Sequence, residues 1–254
     1  MKILALTTIL AVALLASLAV STQAASPSLP VVSQAGLLKS GQKLKPTAKR
    51  SYIARVLLST RAYARPNSKS RVLGSVSNFS SWARQQQQLL ILNSARTNGA
   101  LWLRVRLGQR PNNSAVWIPA NRSIVLANPW RISISRSQRK VRIIYSGRVL
   151  RRVLVVVGAN GTPTPAGNFA VYEKGRYGDA RGFLGPFALH LTAHSNVLDN
   201  FGGGRGRVAL HGRGGSSLND PLGSAASHGC VRMNNRQISW LHKRIPVGTL
   251  VTIR

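Results

Sequence analysis

Residues 227–232 read Ser-His-Gly-Cys-Val-Arg and contain Cys230, the only cysteine of the 254-residue chain. A second His-Gly pair, His211-Gly212, stands upstream of this run. In an exported protein, an odd cysteine is reactive, paired with another chain, or buried as a small apolar residue. Here glycine precedes the cysteine, and a histidine and an arginine each stand two residues away, so the surroundings favour a reactive thiol.

A cysteine nucleophile needs a neighbouring base, because a free thiol has a pKa of about 8.5 and the thiolate is the reactive form. His211 follows the run 207–210, Arg-Val-Ala-Leu, which we expect to be a strand that presents the imidazole beside the thiol. His228 stands two residues before Cys230, so in an extended segment both side chains point to the same side. The residues alone therefore offer two candidate bases.

The N-terminal residues have the composition of an export signal. Met1-Lys2 provides a short positive start, residues 3–20 are apolar apart from two Thr and one Ser, and small residues follow at 22–24. We expect a cleaved signal peptide over residues 1–25. The alternative is an uncleaved membrane anchor formed by residues 3–20, since this run is near the ~18 residues that a spanning helix needs. Either one predicts an extracytoplasmic location: the periplasm, the cell wall or the medium.

The charge of the chain is strongly one-sided. It has 36 Lys and Arg against 4 Asp and Glu, a formal net charge of +32. Residues 1–172 contain no acid, and the four acids are Glu173, Asp179, Asp199 and Asp220. Such a charge attracts polyanions. Because export is expected, we predict anionic cell-wall polymers or a membrane surface as partners. We expect no nucleic acid, since the aromatic residues show no basic-aromatic stacking pattern.

Two segments precede the half of the chain that contains Cys230. Residues 26–51 are rich in Ser, Pro, Lys and Gly, which predicts a flexible basic linker. Residues 52–127 contain short alternating segments separated by polar turns, which is typical of a small β-barrel. The order of features, with Trp102 three residues before Val105 and a closing strand at 116–119, resembles a bacterial SH3-like domain. We expect a binding or spacer module that is separable from the rest.

A second β-rich unit, residues 128–254, begins at Asn128-Pro129. Several strands are expected here, including a central one at 149–157, which is apolar on both faces. One helix is predicted near the C terminus, with an asparagine cap, an apolar face and a terminating proline: Asn235, Ile238, Leu241, Ile245 and Pro246.

Several ordered motifs of this unit resemble the L,D-transpeptidase catalytic domain of the YkuD or ErfK type. They are His211-Gly212, the run 227–233, the turn at 162–169, Leu222-Gly223 and the closing strand 247–251. The resemblance extends from about residue 130 to residue 254. It implies a β-sandwich or barrel-like catalytic domain, so the expected fold class is mainly β: a small SH3-like barrel, then this domain with one short C-terminal helix.

The resemblance also implies roles for the residues of the motif. Cys230 becomes the nucleophile, His211 the proton acceptor and donor, and His228 a supporting histidine. The substrate would be a peptidoglycan stem peptide, cross-linked to an amine acceptor through an acyl-thioester on Cys230. No cofactor and no metal are expected, and the enzyme is expected to be a monomer.

Other residues of the motif are expected to support this chemistry. The resemblance implies that the amides of Gly229 and Cys230 receive the oxyanion. It also implies that Gly212 orients the histidine through its carbonyl and that Ser227 fixes the loop. Arg232 has two equal alternatives: it binds a carboxylate of the stem peptide in a bidentate fashion, or its fork bonds the domain's own carbonyls.

Three alternatives stay open. Water as the acceptor makes the enzyme an L,D-carboxypeptidase. A non-catalytic protein that binds the cell wall or another polyanion would use only the charge. A zinc site is a further possibility, because the spacing of His190 and His194 places two ligands on one helical face and His211 completes a set of three.

Overall fold

The computed structural model describes residues 28–200 and 205–254. The predicted signal peptide, residues 1–25, lies outside the described residues. The chain forms two β units with separate cores, which we call the first unit (residues 28–128) and the second unit (residues 129–254). No helix in the described ranges is long and apolar enough to span a membrane.

The first unit is a single antiparallel sheet of eight strands. The strands are β1 (Val31–Val32), β2 (Ser51–Val56), β3 (Thr60–Tyr63), β4 (Val72–Val76), β5 (Gln88–Thr97), β6 (Ala100–Arg106), β7 (Ala115–Pro119) and β8 (Ser123–Asn128). Their order in the sheet is β1-β8-β2-β5-β6-β7-β3-β4. In β6, Leu103 and Val105 are fully buried while Arg104 between them is exposed, as strand alternation requires.

The prediction of a flexible linker at 26–51 is corrected by the structure. Residues Gln34–Ser40 form helix α1, whose N-terminus is capped by Ser33 and whose end is marked by Gly41 in the left-handed conformation (φ 71°). Leu37 and Leu44 are buried in the core of the first unit. Two buried leucines among exposed polar residues are enough to fix this segment, but they produce no periodicity that sequence analysis can detect.

The described residues of the second unit form ten strands. They are β9 (Trp130–Ser135), β10 (Lys140–Tyr145), β11 (Arg148–Leu154), β12 (Val157–Gly158), β13 (Gly167–Arg176), β14 (Phe187–His194), β15 (Arg207–His211), β16 (Ala225–Ser227), β17 (Val231–Arg232) and β18 (Leu250–Ile253). Eight of them form one sheet in the order β11-β10-β9-β18-β13-β14-β15-β17, and β12 pairs with β16. The mainly β fold class is confirmed. The predicted central strand at 149–157 is wrong, since β11 is an edge strand.

The predicted C-terminal helix exists as α2 (Asn235–Arg244) and ends before Pro246. Ile238 and Leu241 are fully buried in the core of the second unit. The capping residue is Asn234 rather than Asn235, because the side chain of Asn234 accepts a hydrogen bond from Arg236 N at 2.8 Å. Asn235 is thereby left for another contact, described below.

The two units are in direct contact. Gln85 and Lys174 exchange two hydrogen bonds, from Gln85 Nε2 to Lys174 O (2.6 Å) and from Lys174 N to Gln85 Oε1 (3.1 Å). Asn112 pairs in the same way with the backbone of His194, at 2.8 and 2.9 Å. A small apolar cluster also joins the units: Leu90, Ala170 and Leu250. Each side-chain amide replaces a backbone partner, so polar groups at this junction stay hydrogen-bonded.

Candidate active site

The sheet of the second unit has a core face and a polar face near its β17 edge. On β14, Leu189 and Leu191 belong to the core cluster, so His190 points to the other face. The strand pairings align Glu173 with His190, and His190 with Ala209. Because Leu210 pairs with Val231, continuing this register by one residue places Cys230 beside Ala209. Four strands thus present one row of residues on the polar face.

His211 lies on the same face as Cys230 and is its diagonal neighbour. It pairs with Arg232 in the parallel pair β15 and β17, two residues from Ala209 on its strand. Diagonal neighbours on adjacent strands lie about 7–8 Å apart at Cα, which is within reach of a histidine ring. The register therefore places the predicted nucleophile and the predicted base as diagonal neighbours on one face of the sheet.

The tautomer of His211 follows from its hydrogen bond. Its Nδ1 lies 2.7 Å from Gly212 O, so Nδ1 carries the proton and donates it to that carbonyl. Nε2 is buried and has no hydrogen-bond partner among the described residues. Its lone pair is therefore available to accept a proton, as a general base requires.

Burial keeps both candidate groups neutral at neutral pH. Burial raises the pKa of the Cys230 thiol, although a hydrogen bond from the Ala209 backbone and the charge of Arg232 act in the opposite direction. Burial also lowers the pKa of His211 to about 4, with a smaller contribution from the charge of Arg232 and against the hydrogen bond to Gly212 O. The resting site is thus a thiol beside a neutral imidazole, and the proton moves during attack.

The loop before Cys230 is held by its own hydrogen bonds. Ser227 is buried; its Oγ donates to Cys230 O at 2.5 Å and accepts from Gly229 N at 3.1 Å. Thr164 Oγ1 donates to Gly229 O at 3.0 Å, so the turn at 162–169 braces this loop. The Gly229 amide is already used within the loop, which corrects its predicted role as an oxyanion donor. The Cys230 amide stays a predicted donor.

His228 does not share an extended segment with Cys230. Residues 228 and 229 form a bend between β16 and β17, and Gly229 has φ 114°, a region that L side chains rarely adopt. His228 is exposed. The premise that both side chains point to the same side is therefore wrong, since it required a continuous strand.

Arg232 contacts a carboxylate of its own domain. Its Nη1 donates to Asp220 Oδ2, its side chain is 4% exposed, and its guanidinium lies 4.8 Å from the centre of the Phe183 ring. The prediction was that Arg232 binds either a carboxylate of the stem peptide or carbonyls of its own domain. The ion pair is neither, although like the second alternative it lies within the domain. It ties the loop that contains Asp220 to β17 beside the thiol.

Asn235 is a site residue that the sequence analysis read only as a helix cap. Its Oδ1 accepts from Arg213 N at 2.7 Å, and its Nδ2 donates to Arg213 O at 2.8 Å. A Cβ on Gly212 would lie 2.3 Å from Asn235 Oδ1, so only glycine fits here. Asn235 thereby holds the Gly212-Arg213 turn whose carbonyl orients His211.

Tyr177, His190 and Trp82 also lie at this site and were missed. Tyr177 OH is 3.0 Å from His190 Nε2, and burial together with the charge of Cys230 raises the pKa of Tyr177. The Trp82 ring meets the His190 ring edge-on, with centroids 4.6 Å apart. Burial lowers the pKa of His190 to about 4, so this histidine is neutral at neutral pH and is hydrogen-bonded to the tyrosine. No local sequence signal links these three positions.

The zinc alternative depended on a helix, and residues 187–194 are strand β14. At about 3.3 Å per residue, His190 and His194 are about 13 Å apart along the strand, too far to share one ion. Among the described residues no group of three His, Cys, Asp or Glu side chains could hold a metal ion.

Comparison with known proteins defines the class of this fold and site. Residues 129–253 match the model of the YkuD family, the L,D-transpeptidase catalytic domain. The second unit belongs to this family, whose members are cysteine-dependent acyltransferases. The prediction of an L,D-transpeptidase enzyme is therefore confirmed.

Two curated relatives agree with this class. The protein YkuD of Bacillus licheniformis, which is named as an L,D-transpeptidase, is 27% identical over 154 residues, covering 58% of this chain and 83% of that protein. YkuD of Bacillus subtilis strain 168 is 28% identical over 127 residues, covering 49% of this chain and 66% of that protein.

Two solved L,D-transpeptidase structures also align. The one from Xylanimonas cellulosilytica is 25% identical over 49% of this chain and 60% of that chain, with a TM-score of 0.37. One from Mycobacterium tuberculosis H37Rv is 14% identical over 61% and 90%, with a TM-score of 0.41.

Proposed function

We propose that this L,D-transpeptidase acts outside the cytoplasm and cross-links peptidoglycan stem peptides through Cys230 and His211. The observation that carries the assignment of these residues is the hydrogen bond from His211 Nδ1 to Gly212 O. It leaves the buried Nε2 as a proton acceptor on the face that also bears Cys230.

In the first step, the Cys230 Sγ–H proton passes to His211 Nε2 while Sγ attacks the carbonyl carbon of the third residue of a tetrapeptide stem. The Cys230 amide receives the oxyanion. Collapse of the tetrahedral species breaks the C–N bond to the terminal D-alanine, whose amine takes the proton from His211. The product is an acyl-thioester on Cys230.

In the second step, an amine on another stem loses a proton to His211 and attacks the thioester carbonyl. The C–S bond breaks, and the sulfur recovers its proton from His211. If water attacks instead, the product is a shortened stem and the enzyme is an L,D-carboxypeptidase. The acceptor therefore decides between the two reactions, while Cys230 and His211 keep the same roles.

Two further proposals concern the rest of the chain. Residues 1–25 act as an export signal, which the composition of that segment supports. The first unit acts as an SH3-like module for anionic wall polymers, supported by its all-antiparallel sheet and the absence of Asp and Glu from residues 1–172.

Intact-mass and product analysis tests the catalytic assignment. We expect one covalent adduct on the wild type with a carbapenem β-lactam, and none on Cys230→Ala. His211→Ala should slow adduct formation and stem-peptide turnover about 10²–10⁴-fold, and His228→Ala should cost less. Mass spectrometry of the stem peptides separates cross-linking from hydrolysis. An adduct that survives Cys230→Ala, or a His211→Ala enzyme with unchanged rates, would contradict the proposal.

A further inference from the structure

The first unit reaches the polar face of the second unit with one loop, residues 80–85, which we call the Trp82 loop. The loop is closed by Ser80, whose backbone N donates to Gln85 O at 2.8 Å and whose Oγ accepts from Gln85 N at 3.0 Å. Its tip carries Trp82, which is 63% exposed. A tryptophan is rarely this exposed unless it binds another molecule. The position of Trp82 relative to the active site therefore bears on substrate binding.

A buried carboxylate anchors the Trp82 loop. Glu173 on β13 is fully buried, and its Oε1 accepts hydrogen bonds from Trp82 N (3.3 Å) and Ala83 N (3.1 Å). Tyr172 OH lies 3.3 Å from Ser81 N, which donates to it. Removing a carboxylate from water is costly unless hydrogen bonds compensate. The loop backbone supplies two such bonds, both to Oε1, and these fix the position of the loop relative to β13.

The anchor places the indole over the row of residues that leads to the nucleophile. Glu173, His190, Ala209 and Cys230 lie on successive strands of one sheet. Strands are about 4.8 Å apart, so His190 lies about 10 Å from Cys230 across the sheet. The indole meets the His190 ring from a loop that is anchored on Glu173, one strand farther from Cys230. Ala209 is the residue of this row between His190 and Cys230, and Tyr177 contacts His190.

We propose that Trp82 is a specificity-determining residue of the transpeptidase, supplied by the first unit, which packs against the sugar-proximal part of the donor stem. This inference rests on the proposed function. On the leaving side of the attacked carbonyl, the donor has one D-alanine, which spans about 3.5 Å and cannot reach the indole. On the other side it has the rest of the third residue and two further residues, which together span about 10 Å, and then the sugar. Only this longer arm covers about 10 Å.

The test compares two donors that share the reacting bond. The short donor is an N-acetylated dipeptide of the diamino residue and D-alanine, and the long donor is the complete tetrapeptide stem on its disaccharide. For the wild type we expect kcat/KM to be higher with the long donor. Trp82→Ala should lower kcat/KM for the long donor about tenfold, mainly through KM, and leave the short donor nearly unchanged. Trp82→Phe should recover part of the loss.

Two controls separate this role from a structural one. Leu150→Ala removes another exposed apolar side chain, 52% exposed on β11 at the opposite edge of the sheet, and should leave both donors unchanged. The melting temperature of Trp82→Ala and its rate of acylation by a carbapenem should match the wild type. The melting temperature reports the fold. The carbapenem has no sugar-proximal arm, so its acylation rate reports the reactivity of Cys230 alone.

The possible failures are distinguishable. A wild type that turns over the long donor, with Trp82→Ala equally active on it, overturns the role of Trp82 and leaves the proposed function intact. An equal loss on both donors, with slower acylation, means that Trp82 acts through His190 and Tyr177, and also overturns it. A wild type inactive on every donor removes the proposed function itself, and this inference with it.

Discussion

At the scale of single residues, burial determines the protonation state of the site. The pKa of His190 and of His211 is lowered to about 4, whereas an unfolded histidine titrates near 6.5. The histidines are neutral in the folded protein, so the unfolded chain binds more protons between these two values. Acid therefore favours unfolding in that window.

We predict that the free energy of unfolding falls as the pH decreases from about 6.5 to about 4. Each of the two histidines contributes a slope of up to about 1.4 kcal/mol per pH unit. Urea titrations at several pH values measure this slope. His190→Gln keeps a hydrogen-bonding group for Tyr177 but cannot titrate. It should reduce the slope by up to about 1.4 kcal/mol per pH unit, the contribution of one proton. An unchanged slope in this variant would show that His190 is not buried in its neutral form.

At the scale of secondary-structure elements, the start of α2 serves two purposes through neighbouring asparagines. Asn234 caps the helix, while Asn235 holds the Gly212-Arg213 turn on which the orientation of His211 depends.

Asn235→Ala should therefore lower kcat about tenfold or more, because the base loses its fixed tautomer and position. Asn234→Ala is the matched control, with a loss of about 1 kcal/mol of stability and little change in kcat. Equal kcat in both variants, measured at matched folded fractions, would contradict this division.

Secondary structure also shows where pattern reasoning succeeds and where it fails. The strand β6 and the helix α2 were predicted correctly because each has one buried face with the spacing of its element. In β6 the buried residues are Leu103 and Val105, and in α2 they are Ile238 and Leu241. The prediction of a central strand at residues 149–157 was wrong. Apolar residues on both faces indicate a central strand, yet β11 lies at the sheet edge. The order of strands depends on pairing between distant segments, which local composition does not encode.

At the scale of the whole molecule, charge and contact between the units are the main features. Three of the four acids are already paired with arginines: Asp179, Asp199 and Asp220. Glu173 is buried. The expectation of a separable spacer module fits poorly with this structure, since the first unit contributes the Trp82 loop, Gln85 and Asn112 to contacts with the second.

The charge predicts salt-dependent binding to anionic wall polymer. Affinity of the full chain for a purified polymer should fall steeply as salt rises, because bound counterions are released on association. A variant with four exposed lysines of the first unit changed to glutamine should bind more weakly and show a flatter salt dependence: Lys39, Lys43, Lys45 and Lys49. Co-sedimentation from low to high salt measures both. Binding that is independent of salt would contradict an electrostatic attachment.

The sequence by itself determined the mainly β class, because local alternation carries that information. It also predicted two parts of the chain and Cys230 with His211 as the catalytic pair, the latter through the resemblance of its motifs to a family. Only the tertiary structure decided which partners surround them. The ion pair of Arg232 with Asp220, the hydrogen bond of Thr164 to Gly229 O, and the approach of Trp82 to His190 all join segments that are adjacent only after folding. Side-chain partners on different strands are chosen by sheet register and domain contact, and neither is written in the local pattern.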